Sequence, residues 1–381
     1  MSVHRVGLAV GSKTAAAVLL GPDDEVLADA ALPTPRGGLA SAVAALFDRL
    51  GEAAAPDAVD RVVLATYALT RPLREPKRCA TVGVLRIGAP ACNAVPPFTR
   101  WPDELADVVR GPVELVRGGH EYDGRTSADL DVAAIEAFGR RCRGAVHAVA
   151  VTAMHAQANR AHEEHAALLL GDLLGPHIAL VTGGDEGGLG LLERENTAIL
   201  DAALAPAART ALDDVAAVLA ARGLPDELYV LRGDGTVLPA AAAAARPLRT
   251  IGALKAAARH GRPPRESGRL LEVFGIRTNL QELRVDEAPS DDTRAAAIGA
   301  ALGEAAGSID RIFWLGERSR ADAIAEAGRL AQQSAIRAGA DPRRLREPEV
   351  HEALMTYVPS SCIRIRVRAV GPILTVGGED A

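Results

Sequence analysis

Apolar positions in the first part of the chain fall into short runs punctuated by turn residues. Residues 5–10 and 15–20 are two such runs joined by Gly11-Ser12-Lys13-Thr14, and Gly21-Pro22-Asp23-Asp24 turns the chain into a third, 25–31. The spacing predicts a β-meander. Helical periodicity then covers 38–54, and Arg61-Val62-Val63-Leu64-Ala65-Thr66 predicts a buried strand. Alternation continues with strand 82–87, helix 131–143, strand 145–152, helix 161–174 and strand 177–182. A long helical stretch, 193–222, opens on Glu193-Arg194-Glu195-Asn196, two acids that suit the positive end of a helix dipole. An Ala/Pro-rich segment, 238–247, and a basic Gly/Pro stretch, 259–268, break the pattern and predict irregular structure. The last part predicts strand 310–315, helix 319–338, helix 346–355 and strand 361–369, a small module of its own. The fold class is α/β.

Length and charge narrow the function classes. The 381 residues, 48% hydrophobic and 24% charged, suffice for two or three domains with real cores. A net charge of -6 argues against a nucleic-acid partner, since such domains carry a basic surplus. Only three of the 43 basic residues are lysines, a coding bias toward arginine that makes surface arginine uninformative. No apolar run reaches the roughly 18 residues of a membrane span, and the N-terminus lacks a signal-peptide pattern. Cys79, Cys92, Cys142 and Cys362 show no CxxC spacing, so neither a zinc site nor a disulfide framework is expected. A cytoplasmic protein with no membrane partner is the expectation.

Several polar groups invite chemistry. Gly11-Ser12-Lys13-Thr14 has the glycine, lysine and threonine of a Walker loop, but the lysine lacks its preceding glycine and a strand rather than a helix follows. Its N–H groups and Lys13 remain candidates to hold negative charge; the competing reading is a solvated turn. His155, Gln157, Asn159, His162, Glu163 and His165 form the densest histidine patch. His162 and His165 are three apart, not the i,i+4 pair of a zinc-peptidase helix, so no metal is expected. His155, at a strand end, is the better proton carrier, against the alternative of a buried, hydrogen-bonded histidine. Thr182-Gly183-Gly184-Asp185-Glu186-Gly187-Gly188 is an acidic loop after a buried strand, where α/β proteins place ligands. Arg194 cannot face both flanking acids on one helix, so one of Glu193, Arg194 and Glu195 should reach another segment, the 183–188 loop or the first hairpin.

Three antiparallel strands, a crossover helix and a further strand resemble a ribonuclease-H-like domain, the unit shared by actins, sugar kinases and chaperone ATPases. More specifically, the chain resembles the A subunit of the hydantoinase/oxoprolinase family over most of its length. The strongest block is Gly188-Leu189-Gly190-Leu191-Leu192-Glu193-Arg194-Glu195-Asn196-Thr197-Ala198, continuing to Leu204. Supporting blocks are 118–125, Leu85-Arg86-Ile87-Gly88, Asn159 with His162-Glu163, Gly233-Asp234-Gly235-Thr236, and Tyr357-Val358-Pro359. The family's phosphate loop carries aspartates where this chain has Ala9 and Ala16, and no second such loop follows Thr236.

The resemblance implies ribonuclease-H-like lobes: an N-terminal domain over 1–180, a truncated second lobe over 181–285 and a C-terminal α/β module over 286–381. It implies ATP-dependent ring opening of cyclic amides in the family, and the missing acids imply a relative that works without ATP and without another cofactor. The expected chemistry is ring opening or closing at the carbonyl of a small cyclic amide or imide. His155, Asp185 and Glu186 would be catalytic, and Gly11, Ser12, Lys13, Thr14, Asn159 and Asp234 would bind substrate. Alternatives are a noncatalytic scaffold paired with a hydantoinase B-like subunit or with itself, and an ATP-dependent hydrolase whose metal is held by Asp185 or Asp234.

Overall fold

A computed structural model describes residues 4–55, 59–185, 190–260, 292–316, 318–355 and 362–374. Strands β1 (His4–Val10), β2 (Thr14–Leu20) and β3 (Val26–Pro33) form the antiparallel meander, and helix α1 (Leu39–Leu50) crosses over to β4 (Val59–Thr66), parallel to β1. The chain then leaves this sheet to build a second one. Strand β5 (Val82–Ala89), helix α2 (Asp103–Val109), strand β6 (Arg110–Arg117), helix α3 (Val132–Cys142), strand β7 (Ala148–Ala153), helix α4 (Ala161–Leu174) and strand β8 (Ala179–Thr182) give four parallel strands. Helix α5 (Leu191–Ala220) returns to the first sheet at β9 (Leu228–Leu231), parallel to β4. There follow β10 (Thr236–Pro239), α6 (Ala240–Ala245), α7 (Ala253–His260), α8 (Thr293–Ala301), β11 (Glu304–Trp314), α9 (Arg320–Arg337), β12 (Glu349–Leu354) and β13 (Cys362–Gly371).

The large sheet runs β12-β13-β11-β10-β9-β4-β1-β2-β3. Its half β3-β2-β1-β4-β9 has the order and directions of a ribonuclease-H-like domain. The stretches 1–180, 181–285 and 286–381 each contribute strands to it.

Two segments differ from the sequence expectation. Residues 346–355, expected as a helix, contain β12, whose six residues are all exposed; pairing with β13 from Glu349↔Arg368 to Leu354↔Ile363 overrides a helix-tolerant composition. Residues 238–247, expected to be irregular, end β10 and form α6, a run of six alanines and so of the best helix former. Most of 259–268 lies outside the described residues.

Helices cover both faces of both sheets. One face of the large sheet packs on α1 and the second half of α5, through residues such as Leu46, Leu212 and Val215. The other face packs on α7, α8 and α9 almost entirely through alanine. On α9 the buried residues are Ala323, Ala327, Ala331 and Ala335, one stripe at i,i+4 spacing. Small residues let these helices sit very close to the strands: a Cβ on Gly7 would lie 1.9 Å from the Ala297 carbonyl oxygen, and one on Gly307 2.2 Å from that of Ala331. The small sheet is sandwiched by α3 and α4 on one side and by α2 with the first half of α5 on the other. Helix α5, 30 residues and so about 45 Å long, is shared by both cores, with Pro206 between Ala205 of one and Ala208 of the other.

Candidate active site

The small sheet has the order β6-β5-β7-β8. After β5 the chain first goes to one side, then crosses back to the other, so β5 and β7 flank a topological switch. Parallel sheets open a crevice at the carboxyl ends of such strands, where connections diverge to opposite faces. Those ends here are knitted by backbone bonds: Met154 N–H donates to the Ile87 carbonyl (2.9 Å) and His120 N–H to that of Met154 (3.3 Å). Gly88, with φ 145°, is required at this point, since a Cβ would meet that of Met154 at 3.0 Å and Cys92 Sγ at 3.2 Å.

His155 follows immediately. Its φ of 52° is left-handed, an uncommon state for a residue with a Cβ, held by a turn in which its carbonyl accepts from Ala158 and Asn159. Its half-buried ring is kept below the usual histidine range by burial and then by the nearby Arg194 charge, against the pull of Glu121 and Asp123. A neutral imidazole at a strand end can accept a proton. Around it, the His120 and His162 rings lie 4.4 Å apart, and His162 Nδ1 accepts from Gly119 N–H at 2.9 Å, which places any ring proton of neutral His162 on Nε2.

Burial, reinforced by the positive charges His162 and His155 would carry, pushes His120 down to about 4. Because the unfolded ring protonates near 6.5 and the folded one only near 4, this histidine costs no stability above pH 6.5 and drains it as pH falls through that window. The loss is at most about 3 kcal/mol. Stability of His120→Asn measured by urea titration from pH 7 to pH 4 is expected to fall less steeply than that of the parent; equal slopes would refute the assignment.

Two buried ion pairs brace this region. Arg86 on β5, fully buried, grips Glu195 on α5 through Nε–Oε1 (2.8 Å) and Nη2–Oε2 (2.5 Å), while Nη1 donates to the Cys92 and Val95 carbonyls. Glu163 on α4 accepts from Ala153 N–H (2.7 Å) and Gly184 N–H (2.6 Å), and Arg194 Nη1 stands 3.6 Å from it. Burial raises Glu163 above the usual carboxylate range, opposed by Arg194 and the two amides. The segments reached by Arg194 and Glu195 are thus α4, the end of β7 and β5. Among the described residues, the 183–188 loop reaches this cluster through Gly184, whose N–H bonds Glu163, and no bond from the first hairpin to Arg194 or Glu195 is seen.

The structure separates the other expected site residues. Gly11, Ser12, Lys13 and Thr14 turn between β1 and β2 on the large sheet, where Gly11 N–H closes the hairpin on the Thr14 carbonyl and Thr14 Oγ1 meets Thr293 Oγ1 of α8 at 2.7 Å. Lys13 is exposed. Asn159 lies near His155, but its amide bonds Gly124 and Ala161 and so caps the local chain. Asp234 sits in the β9–β10 turn, bonded to Thr236 and flanked by Arg232 (3.4 Å) and Arg368 (3.6 Å). Those partners hold its carboxyl below the usual range although burial opposes them. The backbone of Asp185 ends a short turn after β8, while Glu186 lies outside the described residues.

Sequence reasoning gave no role to His120; its signal was Gly118-Gly119-His120 directly after an apolar run. None of the four cysteines is in a disulfide, and burial pushes Cys79 and Cys142 up to about 11, away from nucleophilic use. Among the described residues no cluster of His, Cys, Asp or Glu could hold a metal ion, and no helix is long and apolar enough to cross a membrane.

Residues 5–173 match the model of the hydantoinase/oxoprolinase N-terminal region. This part of the chain is similar to that region. It spans the meander, β4 and the small sheet through α4, and therefore His120, His155 and Glu163. Two solved structures share the fold. One is a nucleotide-free acetone carboxylase, described for ATP-dependent acetone carboxylation, with TM-score 0.53 and 16% identity. The other is the ATP-dependent caprolactamase from Pseudomonas jessenii, with TM-score 0.52 and 21% identity. Each match covers 68% of this chain and 39% of the other, so the chain aligns with about two-fifths of either relative. No curated protein matches the sequence.

Proposed function

We propose that this protein opens or closes the ring of a small cyclic amide, imide or related carbonyl compound, without ATP, at the crevice between the ends of β5 and β7. The observation that carries the reading is His155, in a left-handed conformation at a topological switch point and favoured neutral by burial and Arg194. In the opening direction His155 takes a proton from the attacking water and returns it to the departing amide nitrogen, leaving a carboxylate and an amine. Asp185 and Glu186, from the loop after β8, orient the water or the imidazole.

Independence from ATP is supported by the large sheet. Ala9 and Ala16 face each other across β1 and β2, are 0% and 1% exposed, and lie in the alanine layer that includes α7 and α8. Among the described residues the side chains packed at that spot are apolar, whereas Mg²⁺ demands hard oxygen ligands.

The test is turnover of hydantoins, lactams and cyclic imides with and without Mg·ATP. His155→Ala is expected to lower turnover about 10²-fold or more while the fold survives, and unchanged turnover would remove His155 from the mechanism. Calorimetry should detect no Mg·ATP binding; micromolar affinity, about 8 kcal/mol, would overturn the ATP-independent reading.

A second reading, a scaffold for a hydantoinase B-like subunit in the cytoplasm, is favoured by β12, an outermost strand with every residue exposed. Absence of turnover together with tight binding of such a subunit would select it.

A further inference from the structure

Segment 118–131 joins β6 to α3 and runs past the carboxyl end of β7. Its ties to the rest of the protein include His120 N–H to the Met154 carbonyl (3.3 Å), Asn159 Nδ2 to the Gly124 carbonyl (3.0 Å) and Gly119 N–H to His162 Nδ1 on α4 (2.9 Å). The last differs from the others, because its acceptor is a titratable ring nitrogen. Gly118 and Gly119, with φ of 140° and 90°, bring the backbone close to that ring: a Cβ on Gly118 would stand 3.4 Å from His162 Nδ1 and 2.7 Å from Ile87 Cγ2. A proton on Nδ1 turns the acceptor into a second donor, so the Gly119 bond exists only while the imidazole is neutral.

The surrounding groups set the direction in which this contact titrates. His120, 1% exposed, lies against His162 with ring centroids 4.4 Å apart, and among the described residues its Nδ1 has no hydrogen-bond partner. His155 opposes a proton on His120 from the end of β7, and His165 opposes one on His162 from α4. Asp129, within the segment, favours the charged form of His162. Other acids on these elements have their own partners: Glu121 accepts from Ser127, Asp123 pairs with Arg125, Asp131 caps Ala134, and Glu163 takes the Ala153 and Gly184 amides. Arg160 and Arg194 act on Glu163, while Arg117 and Glu164 are exposed. Burial first, and then the neighbouring histidines, hold both rings below the usual histidine range in the closed segment. Both return to near 6.5 when it opens. Closure is therefore fully favoured above about pH 6.5 and weakens as pH falls below it.

We propose that His162, with His120 beside it, is an acid-sensitive latch on segment 118–131: protonation breaks the Gly119 bond, frees the segment from α4 and carries Glu121 and Asp123 away from His155. Those two acids favour the charged form of His155, so an open segment leaves a less basic imidazole at the end of β7. The latch needs no ligand and holds whether or not the crevice performs the proposed reaction.

Amide hydrogen exchange of the full chain from pH 7 to pH 5, referred to the rates of the unstructured peptide at each pH, tests it. In the parent, protection of Gly119 should fall at least about tenfold over this range and stay below that of β1 throughout, which marks local opening. His162→Asn puts Oδ1 near the place of Nδ1, an acceptor that takes no proton, so Gly119 should stay protected at pH 7 and the fall should shrink at least about threefold. His162→Ala removes the acceptor and should lower Gly119 protection at pH 7 at least about threefold. Parent protection that is flat with pH or equal to that of β1, parental steepness in a folded His162→Asn, or undiminished protection in His162→Ala would each overturn the proposal. None of these results touches the proposed reaction, since no substrate enters the measurement.

Discussion

Arg86→Met is expected to destabilise the protein by about 3–5 kcal/mol, the largest loss from any single charge removal at this site. Glu195, 1% exposed, would keep its negative charge with no counter-charge, and the Cys92 and Val95 carbonyls would lose their donor. The double variant Arg86→Met/Glu195→Met removes both charges, so it should recover at least about 2 kcal/mol while the two carbonyls stay unsatisfied. Urea unfolding of the parent, both single variants and the double variant measures the coupling. A loss below about 1 kcal/mol for Arg86→Met would show that water reaches the pair and that it does not brace β5 against α5.

Ala9→Asp should cost about 3 kcal/mol or more and still not create Mg·ATP binding. The substitution restores the residue type that the hydantoinase/oxoprolinase resemblance places there, yet Ala9 is fully buried opposite Ala16 in a layer of alanine side chains. A carboxylate there would be shut from water among apolar side chains of the described residues. Helix α8 adds a steric limit, because its backbone passes within 1.9 Å of a Cβ placed on Gly7, two residues earlier on the same face of β1. Thermal unfolding and calorimetry with Mg·ATP decide the matter. A variant as stable as the parent that binds Mg·ATP would mean that the alanine layer opens, and the ATP-independent reading would fall.

Much of the architecture could be read from local pattern. The meander, α1, β4, the α/β alternation through β8 and the long α5 follow from apolar period and turn residues within windows of 5–30 positions, since burial on one face or two leaves a periodic trace. The segments that escaped had no such trace. Strand β6 contains glycine and proline, and β12 has no buried face; both are strands because a neighbour offers an edge to pair with. The polar layer was legible only by residue type. His155 stood out as a histidine at a strand end, whereas His120 and Arg194 acquired meaning only when β5, β6, β7 and α5 brought their groups together.

The sequence by itself determined the α/β class, the order of most elements, the likeness to the hydantoinase/oxoprolinase region and the presence of alanine at positions 9 and 16, because each is written in contiguous residues. Only the tertiary structure decided that the strand order β6-β5-β7-β8 puts a switch point beside His155, that Arg86 and Glu195 close on each other, and that α8 lies over Ala9. Those facts join residues tens to hundreds of positions apart, and their energies depend on burial and on distances of a few ångströms, which no local pattern encodes.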